Sequence, residues 1–388
     1  MTKGIYRYDE TLTNHDLNTI RNWRNIAQWL EADGYKLNHS QQDLQETPDI
    51  SNFYGREEEL AQLEQWIVHD RYRLVTISGM GGIGKTTLVV KLIKQIQKEF
   101  DYVIWQDLKY TPVLSDLLTN ILKTFTQNPD DNLSTTLEQQ IIQLIEYLRS
   151  SRCLLVLDSL EEILGVDYFA GLFQQKYRNY RQLIERISQE SHQSCLVLIS
   201  QDEPADSLLV QSNKIGSLQI NGLGIEAKEI LAKEGLSNPN CWRILIEKYQ
   251  GNPLALKLVC ANIKEVFGGN VARFLEADTE LGIVVPNFFR ELLKQQFERL
   301  SEREKQIIYC LAVCHHPLSI EKIQQYIQPK IYSSDLIQAL YSLKKRSLIE
   351  RSSELDSSVF TLPLMVKKYI IRDCQKDRDR LKQSLKNL

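Results

Sequence analysis

The sequence has no uninterrupted run of about 18 apolar residues, so nothing in it reads as a membrane-spanning helix. Its start, MTKGIYRYDE, lacks the apolar core of a signal peptide. The chain is expected to be cytoplasmic, with no membrane partner. It also lacks an excess of charge of one sign. The 47 Lys and Arg and 50 Asp and Glu leave a net −3, which supplies no global attraction to nucleic acid or to an anionic membrane. Any basic surface has to be local. The seven cysteines are an odd number, and Cys153, Cys195, Cys260 and Cys310 lie in apolar runs, where cysteine behaves as a small hydrophobe. That usage argues for a reducing compartment and against a disulfide framework. There is no internal repeat of about 20 to 50 residues and no low-complexity tract. What is present is 388 residues, 43% hydrophobic and 25% charged, enough for roughly two to four globular domains.

Hydrophobic periodicity divides the chain. Residues 14–31 place Leu17, Ile20, Trp23, Ala27 and Leu30 near one helical face, and Gly34 can end that helix; residues 1–37 are read as an N-terminal helical element. The polar stretch 38–51 has little to bury and reads as a linker. Over 52–222 short apolar strands alternate with helical patterns: RLVTIS, YVIW, CLLVLD, CLVLIS and SLQI. This is the signature of a parallel five-stranded sheet covered on both faces, an α/β domain. The strand signal then nearly vanishes. Residues 223–284 read as a small helical domain of short helices, the third opening at GNPLALKLVCANI. Residues 285–371 read as further helices followed by a short β pair, SLIERSS and SSVFTLP, the pattern of a winged-helix domain. Residues 372–388 form a basic tail. From Lys367 to Leu388 there are eight Lys or Arg and three Asp, 8 − 3 = +5. Such a stretch can track a phosphate backbone or be a solvated helix face.

The chemistry concentrates in ISGMGGIGKTTL. Gly79, Gly84, Lys85 and Thr86 satisfy GxxxxGK[ST] between a strand and a helix. Gly79, Gly81, Gly82, Ile83 and Gly84 can turn their amides around phosphate oxygens, and the helix start adds its positive dipole end. Lys85 would reach the β- and γ-phosphates. Thr86, with Thr87 beside it, would offer a hydroxyl to Mg²⁺. The alternative is a glycine-rich turn with no ligand. CLLVLD ends a buried strand on Asp158, which would be the outer partner of Mg²⁺ at the sheet's C-terminal edge; a helix-capping aspartate is the alternative.

FYGREEELAQLEQWI, ISGMGGIGKTTL, FDYVIW, CLLVLD, CLVLIS and GNPLAL, in this order and spacing, resemble the NB-ARC module of STAND-class signal-transduction P-loop NTPases. The class includes plant disease-resistance proteins, apoptosis scaffold proteins and bacterial proteins that carry β-propeller repeats. The resemblance implies that Tyr54, Gly55 and Arg56 line the adenine base and its neighbouring groups, with a helix N-terminus at Arg56 and Glu57 as the alternative, and that Pro253 closes over the nucleotide, ATP or ADP. Asn252 and Pro253 are also, on local grounds, an N-cap and a first helical residue. The chain departs from the family pattern in three places. Ser159 stands where many relatives have a second acid, which leaves Glu161 or Glu162 as candidate bases. Gln201 stands where an arginine often ends the sensor strand. Pro363 and Leu364 stand where a histidine and an aspartate close the usual ADP lock, and they are expected to approach the phosphates.

These readings imply an ATP/ADP-controlled switch in signal transduction, at most a slow ATPase, that associates with itself or with a partner protein when activated. An active ATPase that drives assembly, and a DNA-binding regulator that uses the winged helix with Lys344 and Lys345, are the alternatives; the chain's mild acidity makes a nucleic-acid partner the poorer fit. Cys310, Cys314, His315 and His316 hint at a metal, but no second ligand pair follows at finger spacing.

Overall fold

A computed structural model describes residues 41–43, 53–125, 136–165, 170–204, 214–281, 284–314, 316–327, 332–354 and 357–373. The expected N-terminal helix at 14–31 and nearly all of the basic tail lie outside the described residues.

The first half of the chain is an α/β layer structure. Its elements are strand β1 (Gln41–Asp43), helix α1 (Glu57–Glu64), β2 (Leu74–Ser78), α2 (Lys85–Ile96), β3 (Tyr102–Asp107), α3 (Leu114–Phe125), α4 (Leu137–Ser150), β4 (Cys153–Asp158), α5 (Arg178–Gln189), β5 (Cys195–Ser200) and β6 (Ile215–Gln219). The strands lie in the order β1-β3-β4-β5-β2-β6, and every pairing is parallel. The five expected strands are all there. Within the expected linker, β1 adds a sixth, pairing Gln41 with Tyr102. Main-chain pairing at a sheet edge does not require apolar residues, so apolar patterning gives no sign of such a strand.

Strands β2, β4 and β5 are buried along their whole length, as a sheet covered on both faces requires. Successive side chains go to opposite cores. Leu155, Leu157, Leu196 and Leu198 pack with α3, α4 and α5. Leu154, Val156, Val197 and Ile199 pack with α1 and α2.

A third core gathers the remaining helices: α6 (Ala227–Lys233), α7 (Trp242–Lys248), α8 (Pro253–Phe267), α9 (Val271–Leu281), α10 (Asn287–Glu298) and α11 (Glu302–Val313). Strand β7 (Leu318–Ser319), α12 (Ile320–Tyr326), α13 (Ser333–Lys345), β9 (Ser357–Thr361) and α14 (Leu364–Asp373) complete it, and strand β8 (Glu350–Glu354) lies at its edge beside β9. Two caps follow from sequence. Asn252 accepts from Ala255 N with Pro253 at the first helical position, and Ser301 with Glu304 forms a capping box. The three short strands make an antiparallel sheet β7-β9-β8, one strand more than the expected pair. No helix among the described residues is long and apolar enough to cross a membrane.

Candidate nucleotide site

The strand order sets out the site. Strand β5 separates β2, which leads into the glycine loop, from β4, which ends on Asp158. The end of β5 therefore lies between the loop and the carboxylate. Helix α2 starts at Lys85, directing its first amides and its dipole toward that edge. Gly79, at φ +149°, has no room for a side chain: a Cβ there would lie 2.6 Å from the carbonyl oxygen of Ile220.

Lys85 is buried, and its ammonium donates to the carbonyl oxygens of Gly79 (2.7 Å) and Met80 (3.2 Å). Burial lowers its pKa, and Glu161, Asp158 and Asp202 oppose that shift in this order. The Thr86 hydroxyl donates to Asp158 Oδ2 at 3.0 Å, and Ser159 N donates to Oδ1 at 2.8 Å. Burial pushes the Asp158 carboxyl up to about 6 in spite of these two bonds. A hydroxyl and a carboxylate brought together by separate elements form the oxygen donor pair that a hard cation such as Mg²⁺ takes.

A cavity of about 420 Å³ opens beside the loop, within the size range of small-molecule sites. Phe53, Tyr54, Leu223, Pro253 and Leu254 line its apolar part; Gly82, Ile83, Gly84, Lys85, Thr86 and Thr87 line the polar part, with Arg56 and Lys257. The cavity thus brings together residues from three separate stretches singled out in the sequence. Arg56 lies at φ +73° at the head of α1, a conformation disfavoured for any side chain. Its guanidinium fixes that turn by donating to Glu59, to Asn221 O (2.5 Å) and, more weakly, to Ile83 O (3.4 Å). Arg56 is therefore occupied in tying the entry segment to the loop. Gly55 does not border the cavity; it packs beside Glu226 and Leu223. Gly79, Gly81 and Asp158 stand behind the lining.

Of the two candidate bases, Glu161 is buried. Its Oε2 accepts from Gln201 N at 3.0 Å, which fixes it at the end of β5. Glu162 is exposed. Pro363 and Leu364 do not border the cavity, contrary to expectation: Pro363 is buried ahead of α14 and Leu364 faces solvent. Pro363 is engaged at the start of α14, where its carbonyl oxygen accepts from Lys367 N at 2.9 Å.

Sequence reasoning missed several residues. Asn252 is more than an N-cap, because its Nδ2 donates to Gly81 O at 3.0 Å while Leu254 N donates to Gly82 O at 3.3 Å. Met80 of the loop packs into the third core. Gln201 Oε1 accepts from Gln296 of α10 at 2.6 Å. Lys257 lies one helical turn beyond Pro253, so the family motif together with i, i+4 spacing could have revealed it. The other three contacts cross between distant segments and leave no local signal.

A model of the NB-ARC domain family matches residues 56–168. An uncharacterised WD repeat-containing protein of Nostoc sp. is 38% identical over 332 residues, which is 81% of this chain and 26% of that protein. A disease resistance protein of Arabidopsis thaliana is 33% identical over 92 residues, 22% of this chain and 10% of that one. The chain thus spans about a quarter or less of the length of these relatives. A Walker-type ATPase of Pyrococcus abyssi aligns over 85% of this chain and 99% of its own, with a TM-score of 0.57 and 16% identity; that likeness concerns the fold.

Proposed function

Taking as premise that this chain carries the NB-ARC module of STAND-class P-loop NTPases, we propose that it is a switch controlled by adenine nucleotide. The observation that carries the reading is the cavity lined jointly by Tyr54, by the glycine loop with Lys85, Thr86 and Thr87, and by Pro253 of α8. A ligand held there touches the α/β domain and the helical module at once. Its binding energy therefore acts on how the two sit together.

Phe53, Tyr54 and Leu223 form the apolar end, where the base would lie. Lys85 would exchange its two carbonyl partners for phosphate oxygens. Thr86 and Asp158 would hold Mg²⁺, which, when bound, neutralises charge on the phosphates. Hydrolysis is expected to be slow, well below a typical turnover of about 10 per second. Ser159 is no base, and Gln201 brings no charge to the developing oxygens. Glu161 is the better placed of the two acids, and Glu161→Gln is expected to remove what turnover there is, while Glu162→Gln leaves it. Activation would join the chain to copies of itself or to a partner protein. The three-stranded sheet with α11, α12 and α13 is read as the winged helix, used here for packing. The basic end of its third helix supports that use, since Lys345 and Arg346 are buried.

The test is to purify the chain, release its nucleotide and identify it by chromatography, with Lys85→Ala alongside. ADP or ATP is expected from the wild type, and the variant should bind about 100-fold more weakly, as loss of a buried charge-assisted contact implies. An empty wild type that also fails to bind in titration would sink the reading. A guanine nucleotide would overturn the adenine assignment and the role given to Tyr54, and would leave the switch itself standing.

A further inference from the structure

Four charged side chains outside the cavity lining meet where β5 leaves the sheet. Asp202, two residues past the strand, is 1% exposed. Its Oδ2 accepts from Arg299 Nη2 at 2.5 Å and from Arg346 Nη1 at 3.0 Å. Arg346 is itself 2% exposed, and its Nε stands 3.4 Å from Oε1 of Glu304, which is wholly buried. That same Oε1 accepts from the Ser342 hydroxyl at 2.6 Å. The main chain follows the charges: Glu203 N donates to Lys345 O, and the Lys345 ammonium donates to Pro204 O. Asp202 belongs to the α/β domain. Arg299, Glu304 and Arg346 belong to the C-terminal helical part, the first two on one short stretch and Arg346 at the end of α13, so the cluster joins three stretches of chain.

We infer that Asp202, Arg299, Glu304 and Arg346 form an electrostatic latch that holds the C-terminal helices closed on the sheet edge and opens as a unit. The cluster holds two acids and two bases, so closed it is neutral. Removing one member leaves a buried charge without a partner, which is far more costly than removing a matched pair. The latch is also incompletely satisfied. Among the described residues the buried Arg346 Nη2 has no hydrogen-bond partner, and its Nε contact with Glu304 lacks hydrogen-bond geometry. Water would satisfy both groups once the surfaces part, so the closed form carries a penalty that opening relieves. This suits a contact that has to open.

The latch adjoins the site. The Nη2 atom of Arg299 that binds Asp202 also donates to the Glu161 carbonyl oxygen at 2.9 Å, and the Glu161 carboxylate is held by Gln201 N. A group that displaces Gln201 or Glu161 from the direction of Lys85 therefore moves a partner of Arg299. That this displacement trips the latch rests on the nucleotide reading; the existence of the latch does not.

The test is amide hydrogen exchange over residues 342–348 and 200–204 in the full chain, stripped of nucleotide and then loaded with ADP or ATP. Asp202→Asn leaves Arg346 and Arg299 facing a neutral group and is expected to speed exchange there by about tenfold. The pair Asp202→Asn with Arg346→Met keeps one acid and one base, and exchange should return to within about threefold of wild type. Should Asp202→Asn fail to fold, Arg346→Met alone supplies the unbalanced state for the same comparison. A folded single variant that exchanges like the wild type overturns the latch, as does a double variant as open as the single. Exchange that ignores nucleotide in a wild type shown to bind it overturns only the link from site to latch.

Discussion

Two buried ionic clusters share the C-terminal edge of one sheet and solve the same electrostatic problem differently. At the glycine loop, Lys85 donates, among the described residues, only to main-chain carbonyls, and Asp158 stays buried with its carboxyl pushed up to about 6. At the latch, Asp202 has two guanidinium groups and Glu304 has Arg346 and Ser342. The chain ties the charges of the second cluster to one another and leaves the Lys85 ammonium on main-chain carbonyls that a ligand can replace. Buried charge is costly unless paired, so the first cluster trades stability for binding and the second trades it for a reversible closure. The same contrast appears in the backbone. The loop is gripped from above by Asn252 and Leu254 through single hydrogen bonds to Gly81 and Gly82, whereas 202–204 is held by side chains and main chain together.

The largest expected effect breaks the grip on the loop. Gly82 lies at φ +76°, and a Cβ there would stand 2.7 Å from Leu254 Cδ2 and 2.8 Å from Leu254 Cβ. Gly82→Ala therefore combines backbone strain with a clash against α8, and it should cost about 3 kcal/mol of stability and most nucleotide binding. Thermal unfolding and nucleotide titration check it; an unchanged melting curve would mean the helical module is not seated on the loop.

The next prediction sharpens the contrast by removing the cost at the first cluster. The folded Asp158 carboxyl sits near 6 against an ordinary value of 3.8, so the folded state binds that proton more tightly than the unfolded one. The penalty is absent below pH of about 4, grows as the pH rises toward 6, and is constant above. Asp158→Asn should accordingly stabilise the ligand-free chain by about 2 kcal/mol at pH 7, the gain shrinking to nothing near pH 4, while Mg²⁺-dependent nucleotide binding is lost. Denaturant melts at several pH values measure it. A destabilised variant at pH 7 would show that the Thr86 bond outweighs burial.

The smallest effect concerns Lys257, half-buried on the cavity wall and, among the described residues, without a hydrogen-bond or ion-pair partner. Lys257→Ala should weaken nucleotide binding by about threefold to tenfold, less so at high salt, with stability within about 0.5 kcal/mol of wild type. Binding that is indifferent to the substitution at low salt would place the nucleotide's charge away from α8.

Much of the site was legible because it is local. The glycine loop, Lys85 and Thr86 are contiguous, and Asp158 ends an apolar strand, so motif spacing alone identifies them. Pro253 and Tyr54 came through a family resemblance, and they border the same cavity as the loop. Gly55 and Glu162 were named on the same grounds, yet one packs behind the lining and the other faces solvent. Sequence neighbourhood does not say which way a side chain turns. Pro363 was placed at the phosphates by matching a motif, and it is buried at the start of α14 without bordering the cavity. Lys344 and Lys345 were named as the basic helix end a DNA-binding regulator would use, and Lys345, with its neighbour Arg346, is instead buried at the latch while Lys344 stays exposed. A run of basic residues has the same composition whether it faces water or an aspartate from another domain.

By itself the sequence determined the elements and the chemistry each carries, because helix and strand periods, caps and phosphate-binding turns are set by residues within a few positions of one another. The strand order that inserts β5 between the loop and Asp158, the edge strand β1, the Asn252 contact with Gly81 and the union of Asp202 with Arg346 were decided only by tertiary structure. Those contacts join residues as many as 171 positions apart. Their energy comes from burying charge and satisfying main-chain groups in a place that does not exist until the three cores have packed.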